Sequence, residues 1–245
     1  MTLVYILVAT FINGLVALSG VVSLILRPKT LEKTLHLLVA FSTGALLGGA
    51  FFHLILESLD KISSNITFIL VLIGFSIFFL MEKYFYWRHC HDEKCHIHPV
   101  SYLLLFGDAI HNFIDGLVIA ASFIVDVRFG VITTLFIIAH ELPQELGDFG
   151  VLVHSGMKAK KALIYNFLSQ LTAVLGGLIG CFLSGSTDFS IVMLPLAAGG
   201  FIYIAASDLI PELHKERDLK RSVANYLIFL TGLGFIIGIK YLLGE

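Results

Sequence analysis

The sequence predicts an all-α membrane protein, a single polytopic domain over residues 1–245 that crosses the bilayer eight times. Of its 245 residues, 57% are hydrophobic and only 14% are charged, whereas a soluble globular protein carries about 25% charged residues. Long apolar runs follow one another with no soluble domain between them. Because backbone groups in lipid must be satisfied within the spanning segment, and the runs are too long and continuous for barrel strands, we expect helices.

Eight apolar stretches lie between clusters of charged residues, and each reaches the length of about 20 residues that spans a bilayer. The first begins at Leu3 without the basic start or cleavage site of a secretory signal, so we expect it to be a retained helix. The fifth is the least apolar, and a simple hydropathy scan should miss it. The predicted spans are 3–26, 34–58, 66–87, 100–124, 130–153, 162–183, 190–210 and 222–243.

The distribution of Lys and Arg predicts the orientation. Twelve of the 16 basic residues lie in the connections after spans one, three, five and seven, and a thirteenth, Lys83, lies near the end of span three that leads into such a connection. The positive-inside rule places these connections in the cytoplasm and both termini outside, in the extracellular or periplasmic space. Glycine-rich faces on spans two, six and eight suit close helix packing and permit a homodimer. The net charge of −2 indicates no nucleic-acid partner.

Span four carries a polar stripe in an otherwise apolar run. His111 and Asp115 are four residues apart, and Asn112 and Asp115 are three apart, so all three share one helix face. Asp108 extends the stripe by one turn. Ionisable side chains at membrane depth are costly, which favours a functional interpretation.

Span five carries a second polar cluster at helical spacing. His140 and Gln144 are four residues apart, as are Glu141 and Glu145, and Asp148 lies four beyond Gln144. Imidazole combined with carboxylate suits zinc, iron and similar divalent ions, whereas magnesium and calcium prefer oxygen alone. Spans four and five together therefore predict a binding site for a divalent transition metal.

Pro143 lies inside the span-five cluster. Proline cannot donate a backbone hydrogen bond and clashes with the carbonyl four residues earlier, which is that of Ala139. We expect that carbonyl to be free beside the metal ligands, where it is available for coordination. An ordinary helix kink is the alternative.

Spans two and seven add further candidates. His53 is followed one turn later by Glu57, and a third helix is needed to complete a four-ligand shell if the metal is zinc. A histidine that is simply hydrogen-bonded in the core is the alternative for His53. Span seven ends with Asp208 and Glu212, which form either a cytoplasmic exit or an interfacial helix end.

The connection between spans three and four, residues 89–98, is rich in Cys and His. Such short tracts often bind metal, but the spacing matches no closed structural zinc motif. We expect metal capture or sensing on the cytoplasmic side, with a soluble connector as the alternative. The candidate ligands are His89, Cys90, His91, Cys95, His96 and His98.

These motifs resemble the ZIP (Zrt/Irt-like protein) family of divalent metal transporters along the whole chain. The specific motifs are H-N-F-I-D-G at 111–116 and H-E-L-P-Q-E-L-G-D-F-G at 140–150, the second being similar to the family signature H-E-x-P-H-E. G-G-A-F-F-H at 48–53 and D-L-I-P-E at 208–212 also resemble family segments. The resemblance implies an inverted-repeat bundle of three, two and three helices, with spans four and five at the core of the moving unit.

The resemblance also implies the transport site. The first metal position would use His53, His111, Asp115, His140 and position 144, where Gln144 replaces the usual histidine. An amide oxygen binds borderline metals more weakly than imidazole, so we expect a looser and less zinc-selective site. A second position would use Asn112, Asp115, Glu141 and a span-six residue, either Ser169 or Gln170.

We therefore expect a carrier, not an enzyme, that moves zinc or another divalent ion such as iron, manganese or cadmium into the cytoplasm. The metal is the substrate, and no organic cofactor is expected. The alternative is an intramembrane zinc metalloprotease, because 140–144 is one substitution from H-E-x-x-H; a membrane-bound metal sensor is a second alternative. The short chain without a targeting signal suggests a prokaryotic plasma membrane.

Overall fold

A computed structural model describes residues 1–25, 28–89, 98–154, 156–183 and 188–243. Within these ranges the chain forms helices and no strands, as predicted. We number eight helical rods in chain order. The first four are α1 (Thr2–Gly14, a 3₁₀ stretch Leu15–Ser19 and Gly20–Ile25), α2 (Pro28–Gly49, a π-helical stretch Ala50–Ile55 and Leu56–Lys61), α3 (Ser64–His89) and α4 (His98–Val125). The other four are α5 (Val127–His154), α6 (Ala159–Gln170 and Thr172–Leu183), α7 (Asp188–Ile204, a π-helical stretch Ala205–Leu209 and Ile210–Leu213) and α8 (Leu219–Leu243).

Seven of these rods are long and apolar enough to cross a membrane, counted over the ranges given above. The exception is α5, the helix that carries the H-E-L-P-Q-E motif and that a hydropathy scan was expected to miss. Its polar residues lower its mean hydropathy, yet it packs against α1, α2, α4 and α6. The least apolar rod is thus enclosed by apolar ones.

The helices differ in how much of their apolar surface is buried. The central rods α2, α4 and α7 bury most of the residues in their most apolar stretch, whereas α3 and α8 bury few. Exposed apolar side chains on α3 include Leu72 and Leu80, which are 65% and 62% exposed. Burial this low on an apolar helix is expected where lipid, rather than protein, covers the surface.

Glycines bring three helix pairs into backbone contact. A Cβ atom on Gly232 of α8 would lie 2.1 Å from the carbonyl oxygen of Phe41 on α2, and one on Gly44 of α2 would lie 2.0 Å from that of Phe229 on α8. No side chain fits at these distances, so each glycine allows its partner backbone to approach. Reciprocal contacts of the same kind join α3 to α7 through Gly74 and Gly199, and α4 to α6 through Gly116 and Gly176.

The glycine prediction is confirmed only in part. Gly44 and Gly48 of α2, and Gly176 of α6, lie at helix contacts as expected. Gly234 and Gly238 of α8 face open space, because a Cβ atom added at either position would meet no heavy atom of the described residues within 4 Å. The sequence pattern identifies the helices that touch, but it does not identify which glycine of a run touches.

Candidate metal centre

Four side chains from α4 and α5 form a buried cluster, which we call the histidine site. It consists of His111 and Asp115 of α4 and His140 and Glu141 of α5, and each offers one ligand atom within 4.8 Å of all the others. Helical spacing aligns the first pair on one face. His140 and Glu141 are adjacent in sequence, and both side chains contact His111 of α4.

The distances between ligand atoms fit a single small cation. The Nε2 atom of His111 lies 3.2 Å from Nε2 of His140 and 3.2 Å from Oε1 of Glu141. The Nε2 atom of His140 lies 3.4 Å from Oε1 of Glu141 and 3.5 Å from Oδ2 of Asp115, and His111 Nε2 lies 3.9 Å from Oδ2 of Asp115. Ligands about 2.05 Å from a tetrahedral zinc ion are about 3.3 Å apart.

The backbone fixes one imidazole in a metal-binding form. The Nδ1 atom of His140 lies 3.2 Å from the carbonyl oxygen of Phe136, one turn earlier on α5. A carbonyl accepts only, so Nδ1 carries a proton, and in the neutral imidazole Nε2 then presents its lone pair to the cluster. A histidine ligand is usually oriented by such a hydrogen bond on its other nitrogen.

Three of the four carboxylate oxygens of the histidine site lack a hydrogen-bond donor among the described residues. Both carboxylate oxygens of Asp115 and Oε1 of Glu141 are buried and accept no hydrogen bond from the residues in the described ranges. Buried charges are normally paired or bound to a metal. Two carboxylates with two neutral imidazoles carry the charge that one divalent cation neutralises.

Aromatic rings enclose the histidines. The ring of Phe78 on α3 meets His111 edge-on at 6.2 Å between centroids, and Phe201 on α7 lies 5.5 Å from the ring of His140. Phe136 is fully buried beside Phe201. An apolar enclosure of this kind keeps bulk water away and strengthens electrostatic interactions with a bound ion.

Amide side chains on α6 orient the carboxylates of α5. The Nε2 atom of Gln170 donates hydrogen bonds to Oε2 of Glu141 and, at 2.7 Å, to Oε1 of Glu145, and Asn166 Nδ2 donates to Oε2 of Glu145. Gln170 in turn accepts a hydrogen bond of 3.5 Å from Asn13 of α1. The structure thus places Gln170 beside Glu141 as a hydrogen-bond donor.

Gln144 lies beside Asp108, outside the four-residue cluster. Its Nε2 atom is 3.2 Å from Oδ1 of Asp108, which also accepts a 2.9 Å hydrogen bond from Nδ2 of Asn112. Asp108, Glu141 and Glu145 form a second group whose oxygens lie within 4.8 Å of one another. Asn112 is buried next to this group.

The structure does not bring His53 and Glu57 to the cluster. His53 lies in the π-helical stretch of α2, where its Nε2 atom is 3.1 Å from the Phe129 carbonyl oxygen and 3.1 Å from Thr133 Oγ1, and its ring stacks on Phe129. Glu57 pairs with Lys61 at 2.7 Å. The four ligand atoms of the histidine site therefore come from two helices, without the third helix that was expected.

The expectation of a free Ala139 carbonyl is wrong. Pro143 does remove the hydrogen bond that would satisfy this carbonyl within α5. The hydroxyl group of Ser42 on α2 reaches the Ala139 oxygen instead, and its single proton is shared between this acceptor and the Leu38 carbonyl of its own helix, 2.7 Å away. This oxygen therefore joins two helices, because a buried carbonyl requires a donor.

The remaining candidates contribute no ligand atom to the four-residue histidine site. Ser169 Oγ donates to the Leu105 carbonyl at 2.9 Å, and Asp208 accepts a 3.2 Å hydrogen bond from Ser207. Glu212 pairs with Lys215, and Asp148 is half-buried on α5. Of the Cys/His tract, residues 90–97 and the side chains of His89 and His98 lie outside the described residues.

Sequence reasoning missed Asn13 and Asn166. Both are fully buried and belong to the polar network around Glu141 and Glu145. Each is a polar residue inside an apolar run of a predicted span, and this isolated polarity could have identified it as part of the site. Polar side chains in such runs commonly bond across helices.

Comparison with known proteins identifies related chains. Residues 86–240 match the family described as ZIP Zinc transporter. The zinc transporter ZIP13 of Pongo abelii is 33% identical over 248 aligned positions, covering 89% of this chain and 74% of its own length. The zinc transporter foi of Drosophila melanogaster is 36% identical over 153 residues, which cover 62% of this chain and 21% of the relative.

A third relative, zinc transporter zipt-7.2 of Caenorhabditis elegans, is 40% identical over 151 residues, which cover 58% of this chain and 32% of the relative. The chain thus matches only 21% and 32% of the fly and nematode proteins. These relatives are all eukaryotic, so the comparisons give no support to the expected prokaryotic plasma membrane.

Proposed function

Because this chain belongs to the ZIP zinc transporter family, we propose that it carries a divalent transition-metal ion, with zinc as the first candidate, across a membrane into the cytoplasm. The relatives named above are described as zinc transporters. The metal is the substrate of the carrier. No bond of the substrate is made or broken by the protein, so the function is transport and not catalysis.

The histidine site is the observation that carries this proposal. Two imidazoles and two carboxylates converge within 4.8 Å, are buried, and include carboxylate oxygens without donors in the described part of the chain. Without a cation, such an arrangement costs free energy, since isolated buried charges are strongly unfavourable. A divalent ion of about 2 Å coordination distance removes this cost.

The position of the site suits a carrier. His111 lies midway along the 28-residue helix α4, and His140 lies midway along the 28-residue helix α5. At 1.5 Å per residue, each histidine is roughly 20 Å from either end of its helix. Substrate sites of secondary transporters typically lie near the bilayer midplane.

Eight spanning helices are part of the proposal. We take α5 as an eighth span because it is as long as α4, runs beside it, and is enclosed by apolar helices that reduce the cost of its polar residues. The excess of Lys and Arg in alternate connections supports both termini outside. In this orientation Asp108 and Glu145 lie on the cytoplasmic side of the histidine site.

The transport cycle follows from these contacts. In an outside-open state, His111 and His140 replace water on the incoming ion while Asp115 and Glu141 neutralise its charge. A rearrangement of α4 and α5 relative to the other helices then opens the site toward the cytoplasm. Movement of a divalent ion into a negative interior is favourable by roughly 4.6 kcal/mol per 100 mV.

The direction requires no nucleotide. The sequence holds no G-x-x-x-x-G-K-[ST] phosphate-binding motif, and the membrane potential supplies the driving force proposed above. Binding of metal by the Cys/His tract of residues 89–98 and assembly into a homodimer stay predictions. Lipid and a second copy of the chain are equally suited to cover the exposed apolar faces of α3 and α8.

The metalloprotease alternative is not supported. The comparisons return zinc transporters. A protease of the H-E-x-x-H type needs a second imidazole one turn after His140. Gln144 stands at that position and its amide bonds to Asp108.

The proposal is tested by metal uptake into proteoliposomes. Zinc uptake, read by a trapped fluorescent reporter under an inside-negative potential, should be lost in His111→Ala and His140→Ala. His214→Ala is the matched control, because His214 is exposed at the end of α7 and lies outside the cluster. Uptake at the wild-type rate by both site variants would overturn the proposal.

A further inference from the structure

We propose that Gln170 of α6 is a specificity-determining residue, which favours zinc by limiting Glu141 to a single coordinating oxygen. The fully buried amide of Gln170 bonds to the other oxygen of Glu141 and keeps it away from the ion. Gln170 is in this role a positioning residue and not a metal ligand. The inference rests on the proposed function, to which it adds a cause of metal selectivity.

The two oxygens of Glu141 have different surroundings. Oε1 lies 3.2 Å from Nε2 of His111 and 3.4 Å from Nε2 of His140, and it has no hydrogen-bond donor among the described residues. Oε2 accepts a hydrogen bond from Nε2 of Gln170. The carboxylate therefore presents one oxygen to a bound ion. Coordination through both oxygens would place the cation beside the positive amide hydrogens of Gln170.

Hydrogen bonds at both ends fix the orientation of the Gln170 amide. Its Oε1 atom accepts a 3.5 Å hydrogen bond from Nδ2 of Asn13 on α1, and its Nε2 atom donates to Glu141 and, at 2.7 Å, to Oε1 of Glu145. An amide nitrogen carries two hydrogens and an ionised carboxylate only accepts, so each carboxylate receives one hydrogen. Asn166 holds the other oxygen of Glu145. Reversal of the Gln170 amide would turn its oxygen toward two carboxylates.

An uncharged donor is well suited to this position. The sequence has no Lys or Arg between residues 162 and 214, so α6 presents amides and no cation to the carboxylates of α5 from that point onward. A hydrogen bond to an ionised acceptor is about twice as strong as one between neutral groups. The Gln170 amide therefore fixes the direction of the Glu141 carboxylate and leaves its charge to the metal ion.

The number of coordinating oxygens determines which ion the site prefers. With one oxygen from each carboxylate, the histidine site offers four ligand atoms, two nitrogens and two oxygens. Tetrahedral sites of this kind suit zinc, whereas Mn²⁺ favours octahedral shells rich in oxygen. Without the Gln170 donor, Glu141 is able to coordinate through both oxygens. The additional ligand atom should favour Mn²⁺ relative to zinc.

The test compares Zn²⁺ and Mn²⁺ affinities of the detergent-purified full-length protein by competition titration. Gln170→Met keeps the length of the side chain and removes the donor. We expect zinc affinity to fall by about 10–100-fold, and Mn²⁺ affinity to fall less or to rise, so that the ratio of the two Kd values shifts toward Mn²⁺. Thr172→Val is the matched control, because the Thr172 hydroxyl bonds to the carbonyls of Ala109 and Ser169. This variant should leave the ratio unchanged.

Two further measurements separate positioning from a general loss of structure. X-ray absorption of the zinc-loaded protein should show four nearest ligand atoms in the wild type and one more in Gln170→Met. Gln170 acts through Glu141, so the ratio of Kd values should be the same in Glu141→Gln as in the double variant Glu141→Gln/Gln170→Met. Size-exclusion profiles and melting temperatures establish that each variant is folded.

Equal losses of Zn²⁺ and Mn²⁺ affinity in Gln170→Met would overturn the inference, because they would indicate a purely structural role. A wild-type zinc shell of more than four ligand atoms would also overturn it, and this measurement requires no variant. The proposed function fails separately. A shifted ratio without zinc uptake would overturn transport, whereas zinc uptake with an unchanged ratio would overturn only the role of Gln170.

Discussion

The hydroxyl group of Ser42 on α2 bonds to the carbonyl oxygen of Ala139 on α5, the acceptor that Pro143 leaves without a partner in its own helix. The two residues are 97 positions apart in the chain. Ala139 directly precedes His140, so this contact ties the metal-binding segment of α5 to the neighbouring helix. Proline at this place therefore creates an interhelical hydrogen bond rather than a metal ligand.

Replacement of Ser42 by alanine should destabilise the protein. The Ala139 carbonyl would lose its donor, and a buried unsatisfied acceptor costs about 1–3 kcal/mol. Ser76→Ala is a matched control, because the Ser76 hydroxyl bonds to the carbonyl of Leu72 in its own helix and is exposed. Thermal unfolding in detergent should show a lower midpoint for Ser42→Ala alone. Equal midpoints in the two variants would mean that the interhelical bond contributes nothing.

Two glycines on α8 should respond in opposite ways to alanine. A side-chain carbon at Gly232 would lie 2.1 Å from the Phe41 carbonyl oxygen, so Gly232→Ala must separate α2 from α8 and lower the melting temperature. At Gly234 a side-chain carbon meets no heavy atom of the described residues within 4 Å. There, alanine should be neutral or stabilising by about 0.5–1 kcal/mol, since glycine inside a helix is unfavourable. A similar loss of stability in both would contradict the observed helix contact.

The residues of the metal centre could be predicted where their grouping depends only on spacing within one helix. His111 and Asp115 were expected to share a face, and the structure brings them together with His140 and Glu141. Spacing alone also paired His140 with Gln144, whose amide nitrogen donates to Asp108 in the structure. Which side of α5 faces α4 depends on how the two helices pack, and a sequence pattern along one helix does not contain that information.

Contacts between helices distant in sequence could not be predicted for the same reason. His53 was expected to complete the metal shell, but its position is determined by the π-helical stretch Ala50–Ile55 and by the packing of α2 on α5. A π-helical stretch rotates the residues that follow it relative to a regular helix. Helix identity and boundaries follow from apolar run length, whereas rotation about the helix axis does not.

His53 gives a test that separates a metal ligand from a positioning residue. Its Nε2 atom contacts the Phe129 carbonyl and Thr133 on the half of α5 that precedes His140. His53→Gln should therefore leave zinc affinity of the purified protein within about threefold of wild type, while uptake falls because α2 and α5 are no longer held in register. Replacement of a residue that supports ligands typically costs about 10–100-fold in affinity. A loss of zinc affinity of about 10–100-fold or more would mean that His53 binds the metal in a different conformation of the carrier.

The family resemblance and the structure make different predictions for substitutions of Gln144. If Gln144 is a metal ligand, Gln144→Ala should weaken zinc binding as strongly as His140→Ala, and Gln144→His should tighten it. The structure predicts a smaller effect, because the Gln144 amide bonds to Asp108 and the four ligand atoms of the histidine site lie elsewhere. We expect Gln144→Ala to change zinc affinity by less than tenfold, equivalent to about 1.4 kcal/mol. Competition titrations with a zinc chelator on wild type, Gln144→Ala, Gln144→His and His140→Ala measure this directly. Equal zinc affinity losses in Gln144→Ala and His140→Ala would place the amide in the zinc shell.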